Sequence, residues 1–269
     1  NLHKSGLLYQ LQTLEEFEQS YTDYIDDHNR VVAERVKQVS ASAKLRCSLV
    51  VCVPEFSPQK LLDTLASVSA QHTAFSGVIV YCNKKDKSKI EVLFKTTTAL
   101  ACQVVTCLNI SDLSNKLTST PGFFIYAGDV LHPYLGFMLA TSLSDASEFA
   151  YVDTDTLNNK NKRGFADFKP DWNPDLQLTN GYVSSGIWIK DVSCFDAGQL
   201  PWNRFLLSIY MCTRYINNPS VEVEHVPQVL LSRPANLPNF SDAKSQLSSL
   251  YSPFASVKQS NLPSLYLRW

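Results

Sequence analysis

The stretch Cys47–His72, CSLVVCVPEFSPQKLLDTLASVSAQH, decides the fold. Its opening is a short, unbroken apolar run rich in valine, the texture of a strand buried on both faces. Its second part carries Ser57 as a helix N-cap candidate, Pro58 at the first helical position and leucines at helical spacing. Reading outward, GVIVYCN (77–83) is a second buried strand, KSKIEVLFKTTTALA (87–101) a helix and CQVVTCLN (102–109) a third strand. ISDLSNKLTS (110–119) reads as a helix and GFFIYAGD (122–129) as a fourth strand. Such alternation predicts βαβ units, hence an α/β domain with a mostly parallel sheet and helices on both faces. Ligands in open sheets of this kind sit beyond the carboxyl ends of the strands, so chemistry is expected in the loops after Val53, Val80, Leu108 and Tyr126.

Further along, HPYLGFMLATSLSD (132–145) reads as a helix and EFAYVDTD (148–155) as a strand. A long excursion rich in Asn, Pro and Gly follows, LNNKNKRGFADFKPDWNPDLQLTNGYVSSGIWIK (157–190), ending in a strand at GIWIK; such excursions are often binding segments. PWNRFLLSIYMCTRY (201–215) is expected to be a helix and VEVEHVPQVLLSRP (221–234) an edge strand. Upstream, Tyr9–Ala43 is densely charged and free of Pro and Gly. Its apolar residues recur at three- and four-residue steps, the pattern of an amphipathic helix lying on its own domain, with partner binding as the alternative. The domain division is therefore 1–45 for the N-terminal helix, 46–234 for the α/β domain and 235–269 for a surface segment or linker.

Composition sets the outer limits. In 269 residues, 45% are hydrophobic and 18% charged, which suits a globular core. The 24 basic and 25 acidic residues nearly cancel, giving no reason to expect a nucleic-acid surface. The seven cysteines lack metal-ligand or CxxC spacing and several lie in apolar runs, so they read as buried, reduced thiols in a cytoplasmic protein. No apolar run approaches the ~20 residues needed to span a bilayer. The reading is a soluble protein.

The phosphate-binding devices of glycine loops are missing: no GxGxxG or P-loop occurs, and there are nine glycines in all. Carboxylates remain as candidates, because a diphosphate can be held through a divalent ion on Asp or Glu oxygens. Asp129 follows the fourth strand. Asp153 and Asp155 form a DxD, whose spacing puts both side chains on one side of an extended strand; a turn in which they cap backbone amides is the plainer reading. Asp167, Lys169, Asp171 and Asp175 crowd around two prolines and Trp172, a composition that suits carbohydrate or a structural loop anchor equally. The basic clusters at 83–89 and 158–163 read as solvated loop tips.

These segments, in this order, resemble the inverting family 2 glycosyltransferases of the GT-A fold, and most of all those of bacterial O-antigen and other surface polysaccharides. SLVVCVPEFSPQKLLDTLASVSAQ, ending at Gln71, resembles the family's opening. SNKLTSTPGFFIYAGDVLHP keeps Asn115, Gly122, Asp129, Leu131 and Pro133 of its central region. YVDTDTLNNKNKRGFADFKPDWNPDL is the most specific match, a Tyr-x-Asp-x-Asp strand, a short hairpin and a Phe-Lys-Pro-Asp-Trp run. The resemblance implies donor-binding positions at Pro54, Cys82, Asn83, Asn115, Tyr126 and Gly128, and acceptor or glycan positions at Asp153, Asp155, Lys169, Asp171, Trp172 and Arg233. It also locates departures. The uracil-binding acids become Cys82 and Asn83, the metal-binding DxD becomes Tyr126, Ala127 and Gly128, and QLPWNRF contains no acid to act as general base. The closing motif keeps Arg233 without its histidine. The tail LPSLYLRW (262–269) resembles a linker to a second glycosyltransferase domain.

Three hypotheses follow. The first is a catalytically degenerate GT-A module that binds acceptor or docks with other glycosyltransferase domains or polysaccharide-assembly proteins, at the inner face of the cytoplasmic membrane. The second is an active, metal-independent transferase using Asp129, Asp153 and Asp155, with Lys84 or Lys169 neutralising phosphate. The third is a glycan binder built around Asp153 and Trp172. No cofactor is expected under the first, whereas manganese or magnesium with a nucleotide sugar is the alternative.

Overall fold

Strands with apolar side chains on both faces need cover on both faces, and the chain supplies it. The structure, a computed structural model, describes residues 14–38, 45–96, 102–106, 113, 117, 120–158, 162–192 and 203–235. Strand β1 (Ser48–Val53) lies between β2 (Gly77–Cys82) and β4 (Gly122–Tyr126), parallel to both, and β3 (Cys102–Thr106) continues the parallel run beyond β2. The remaining strands are β5 (Val130–Leu131), β6 (Phe149–Leu157), β7 (Arg163–Asp167), β8 (Ile187–Ile189) and β9 (Val223–Pro234). The sheet order is β3-β2-β1-β4-β8-β6-β9-β5, with β7 on β6. The short β8 is antiparallel to both β4 and β6, so β6 and β9 again point the same way as β1.

Six helices accompany these strands among the described residues: α1 (Leu14–Gln38), α2 (Pro58–Ser69), α3 (Lys84–Thr96), α4 (Leu135–Ser142), α5 (Pro174–Asn180) and α6 (Leu206–Asn217). Period-two alternation sorts β1 between two cores: Leu49, Val51 and Val53 pack with α1, α2, α3 and α4, while Val50 and Cys52 pack with α6, Leu113 and Leu117. Cys47, Cys52, Cys82 and Cys212 are buried free thiols.

Helix α2 also braces the turns that follow β4. The Thr64 hydroxyl accepts from Gly128 N–H at 2.9 Å and donates to the Asp129 carbonyl at 2.8 Å, and Ser67 Oγ accepts from Leu131 N–H at 3.0 Å. Beyond the helix, the Gln71 amide donates to the His132 carbonyl and accepts from Gly136 N–H, fixing the start of α4. Helix α1 lies on its own domain: Val32 enters the core, Tyr21 donates to Asp155 at 2.7 Å, and Asn29 bonds the His132 ring at 2.5 Å.

Several sequence expectations are corrected. The strand at 221–234 is not an edge: β9 pairs with β6 along its length and with β5 at Leu231 and Ser232. Pro227 is tolerated because the register slips there, from Val152↔Val226 to Asp153↔Val229, leaving its missing N–H outside the ladder. Helix α3 starts at Lys84 and α6 at Leu206. The excursion at 157–190 contains α5, which the sequence reading leaves irregular, while β7 pairs antiparallel with β6 as the short hairpin that the resemblance implies. Its α5 has ordinary signals: Asn173 caps Leu176 N–H, Pro174 opens the helix and Gly181 closes it at φ 57°. Apart from Leu113 and Leu117, the helix expected at 110–119 lies outside the described residues, as do residues 1–13 and 236–269 of the two flanking segments.

Candidate functional site

The chain leaves β1 toward α2 on one side of the sheet and returns in β4 on the other side of β1, so the crevice between the carboxyl ends of β1 and β4 is a topological switch point. The turn Tyr126–Asp129 closes there, with Ala127 N–H bonded to the Cys52 carbonyl and Gly128 N–H also facing the Lys60 carbonyl. Gly128 has φ +102°, and a Cβ would lie 3.2 Å from Pro234 Cγ, so no other residue suits this position.

Tyr126 is fully buried, and its hydroxyl accepts from Leu207 N–H at 3.1 Å in the first turn of α6. Helix starts leave such N–H groups without intrahelical partners, so the phenol serves as a remote cap. Burial pushes its ionisation well above the ordinary tyrosine value. The Arg204 guanidinium lies 5.7 Å from the centre of the Tyr126 ring, and its Nη2 donates to the Ala127 carbonyl at 2.9 Å. Its Nη1 is buried with no hydrogen-bond partner.

Asp129 is wholly buried. One carboxylate oxygen accepts from Tyr126 N–H at 2.9 Å and from the Ser185 hydroxyl at 2.5 Å. The other has no hydrogen-bond partner and lies 3.9 Å from Arg233 Nε, itself buried and unpartnered; Arg233 Nη1 donates to Ser184 Oγ at 2.7 Å. Of the other positions expected at the donor end, Cys82 is buried, and Asn83 donates to the Pro54 carbonyl at 3.2 Å, tying the ends of β1 and β2 together. Asn115 lies outside the described residues, and Lys84 is exposed at the start of α3.

The acids of β6 are buried inside the sheet and do not form a turn, which corrects the plainer reading of the DxD. They do not share a ligand site either. Asp153 accepts from Lys169 N–H at 2.9 Å and bonds His225 Nε2 at 2.8 Å. Asp155 is held by the Tyr21 hydroxyl and by Arg163 Nε, both at 2.7 Å. The Lys169 ammonium is nearly inaccessible, bonded to Thr154 Oγ1 at 2.9 Å and paired with Asp167 at 3.0 Å; burial lowers its pKa. Asp171 is exposed, 3.5 Å from His225 Nδ1. Trp172 packs among Tyr151, Tyr182 and Tyr215, the arrangement of a loop anchor.

The structure therefore brings Asp129, Arg233, Tyr126 and Gly128 together, keeps Asp153 with Lys169, Asp171 and Trp172 in a second cluster, and ties Asp155 to α1. Sequence reasoning missed Arg204, because the segment before α6 was searched for acids alone. It also missed Ser185 and His225, whose roles depend on pairings across the sheet.

A divalent ion does not fit the residues at the turn. The phenol at 126 is committed to Leu207, Gly128 offers no side chain, and the open oxygen of Asp129 faces a guanidinium that would repel the ion. Among the described residues, no group of three or more His, Cys, Asp or Glu side chains is arranged to hold a metal. No described helix is long and apolar enough to cross a membrane.

No family model matches this sequence, and no curated protein matches it. Solved structures do. A crystal structure of S. aureus TarS residues 1–349 in complex with UDP matches with a TM-score of 0.51 at 12% identity, covering 82% of this chain and 68% of that one. An inositol-1-phosphate CTP transferase from T. maritima matches with a TM-score of 0.42, also at 12% identity, covering 78% of this chain and 97% of the other. The likeness to TarS carries the fold: this is a GT-A, Rossmann-like α/β domain, its mostly parallel sheet flanked by helices and preceded by a long N-terminal helix.

Proposed function

We propose that this chain is a family 2-type glycosyltransferase-like module of bacterial surface-polysaccharide (O-antigen type) assembly, whose donor, metal and base positions serve as structure. On this reading it is a pseudoenzyme. It holds acceptor glycan or docks with neighbouring glycosyltransferase domains or assembly proteins, in the cytoplasm or at the inner face of the cytoplasmic membrane, and needs no metal. One observation carries the reading: Tyr126, at the position the resemblance gives to a metal-binding acid, is buried with its hydroxyl closing the first turn of α6. A side chain spent on holding a helix is unavailable to a ligand. The paired states of Asp129, Asp153 and Asp155 add support, because an inverting transfer needs a free base within reach of the acceptor hydroxyl.

The fold neighbour's UDP complex makes nucleotides the right probes. The test is a calorimetric titration with UDP, GDP and dTDP, each with and without manganese, alongside an assay for nucleotide release from the corresponding sugar nucleotides. The expected result is no manganese-dependent binding and no release. Manganese-dependent binding in the micromolar range, or turnover, would overturn the reading in favour of an active transferase.

A further inference from the structure

Five large apolar side chains stand exposed among the described residues, and the three aromatic ones belong to a single face. Phe165 lies on β7 and Phe168 just beyond it, 59% and 58% exposed. The Tyr24 ring of α1 meets Phe168 edge-on at 5.7 Å and is itself 39% exposed. Each such ring carries about 150–250 Å², so on the order of 300 Å² of aromatic surface is left in water here. Patches of that size on a soluble chain mark interaction sites. Phe165 adds a second sign. Its φ of +50° lies in the left-handed region, unfavourable for a bulky side chain, so the backbone is strained at the residue whose ring is turned outward. That conformation, with the register shift opposite it, also blunts the edge of β7, so a partner meets its side chains and not an extended ladder.

The charges around these rings point to the partner. Lys162 stands exposed just before β7, whereas the exposed Asp23 and Asp26 flank Tyr24, whose ring sits against Phe168 just after that strand. Lys162 and Phe168 are six residues apart, about 20 Å along an extended chain. The other charges of the face are committed within the chain: Arg163 to Asp155, Asp167 to Lys169, and Asp27 to Arg30. A surface with a basic end, an aromatic middle and an acidic end is complementary to itself under a two-fold rotation. We infer that this α1/β7 face is a docking surface for a second copy of the chain, with the rings packed against their symmetry mates and Lys162 of each copy facing Asp23 of the other. The patch is small for an interface, so the dimer is weak, with a dissociation constant on the order of 100 μM. The inference goes beyond the module reading, and nucleotide titration bears on that reading alone.

The experiment is sedimentation equilibrium of the full chain across a concentration range that brackets this constant. A monomer–dimer equilibrium that stops at the dimer is expected. Phe165→Asn should weaken it by about 10-fold, because Asn tolerates the left-handed backbone and keeps the fold while removing the ring. Lys162→Glu and Asp23→Lys should each weaken it by roughly 3-fold or more. Mixing those two variants in equal amounts should restore it, since every Lys162 or Asp23 position then faces a charge of opposite sign. Thermal unfolding checks that these substitutions, all at exposed positions, leave the fold intact. A chain that stays monomeric across the range, or assembly that runs past the dimer, overturns the inference. So does association that Phe165→Asn leaves unchanged, or charge variants that fail to recover on mixing.

Discussion

At the end of β4 three successive positions read Tyr126, Ala127 and Gly128, whereas along β6 two carboxylates, Asp153 and Asp155, are present. At those three positions no side chain is acidic, and a phenol and a guanidinium occupy the space. In the second the acids are present but each has a partner: His225 and a backbone N–H for Asp153, Arg163 and Tyr21 for Asp155. The comparison teaches that an acid that is present can be no more available for chemistry than one that is absent. What decides availability is the set of donors that the surrounding elements aim at it. Asp129 belongs to the first region by position and to the second by behaviour, since Ser185, Tyr126 N–H and Arg233 surround it.

The comparison breaks first at Asp129. Asp129→Ala strips a buried charge from Arg233 and two donors of their acceptor, and should cost about 3–5 kcal/mol of unfolding free energy. Chemical denaturation measures this, and a cost below ~1 kcal/mol would mean that the carboxylate is not the structural fixture described here.

A second effect concerns α1 and depends on pH. Burial, helped by Arg163 and the His28 ring, lowers the His132 pKa to about 4. The neutral ring donates from Nε2 to Asn29 and accepts at Nδ1 from Tyr134 N–H, and protonation removes that acceptor. The unfolded chain takes up the proton near pH 6.5, so stability is full above that value and falls as pH drops from about 6.5 to about 4, by on the order of 3 kcal/mol at most. Thermal unfolding across this range should show the slope, and His132→Gln should flatten it.

Smaller effects sharpen the contrast. Tyr126→Phe leaves Leu207 N–H unpaired in the core and should cost about 1–3 kcal/mol. Tyr21→Phe removes one of two partners from Asp155 and should cost about 1 kcal/mol, with faster proteolysis within α1 as the local readout. An effect at Tyr21 larger than that at Tyr126 would reverse the ranking of the two regions.

The parallel half of the sheet was legible because it is local: valine runs, Pro58 after Ser57, and leucines at helical steps each specify an element without outside help. The residue types at Cys82, Asn83, Tyr126 and Gly128 are legible too, but their partners are not. Arg204 sits 77 residues from the Ala127 carbonyl it bonds and His225 sits 72 from Asp153, so only the closed sheet reveals either pairing. β9 reads as an edge strand from the proline near its end, Pro234, and only its pairings with β6 and β5 place it inside the sheet. The short α5 was passed over although Asn173, Pro174 and Gly181 mark it, since surrounding Asn and Pro made the whole segment look irregular.

The cap that Tyr126 provides also bears on which side chains this turn can accept. An aspartate at 126 would be too short to reach Leu207 in the same way, and Arg204 would lose the ring beneath it. Any side chain at 128 would meet both the left-handed backbone and Pro234. Each substitution is therefore disfavoured alone, and placing an acidic pair in this turn would require rebuilding α6 and β9 as well.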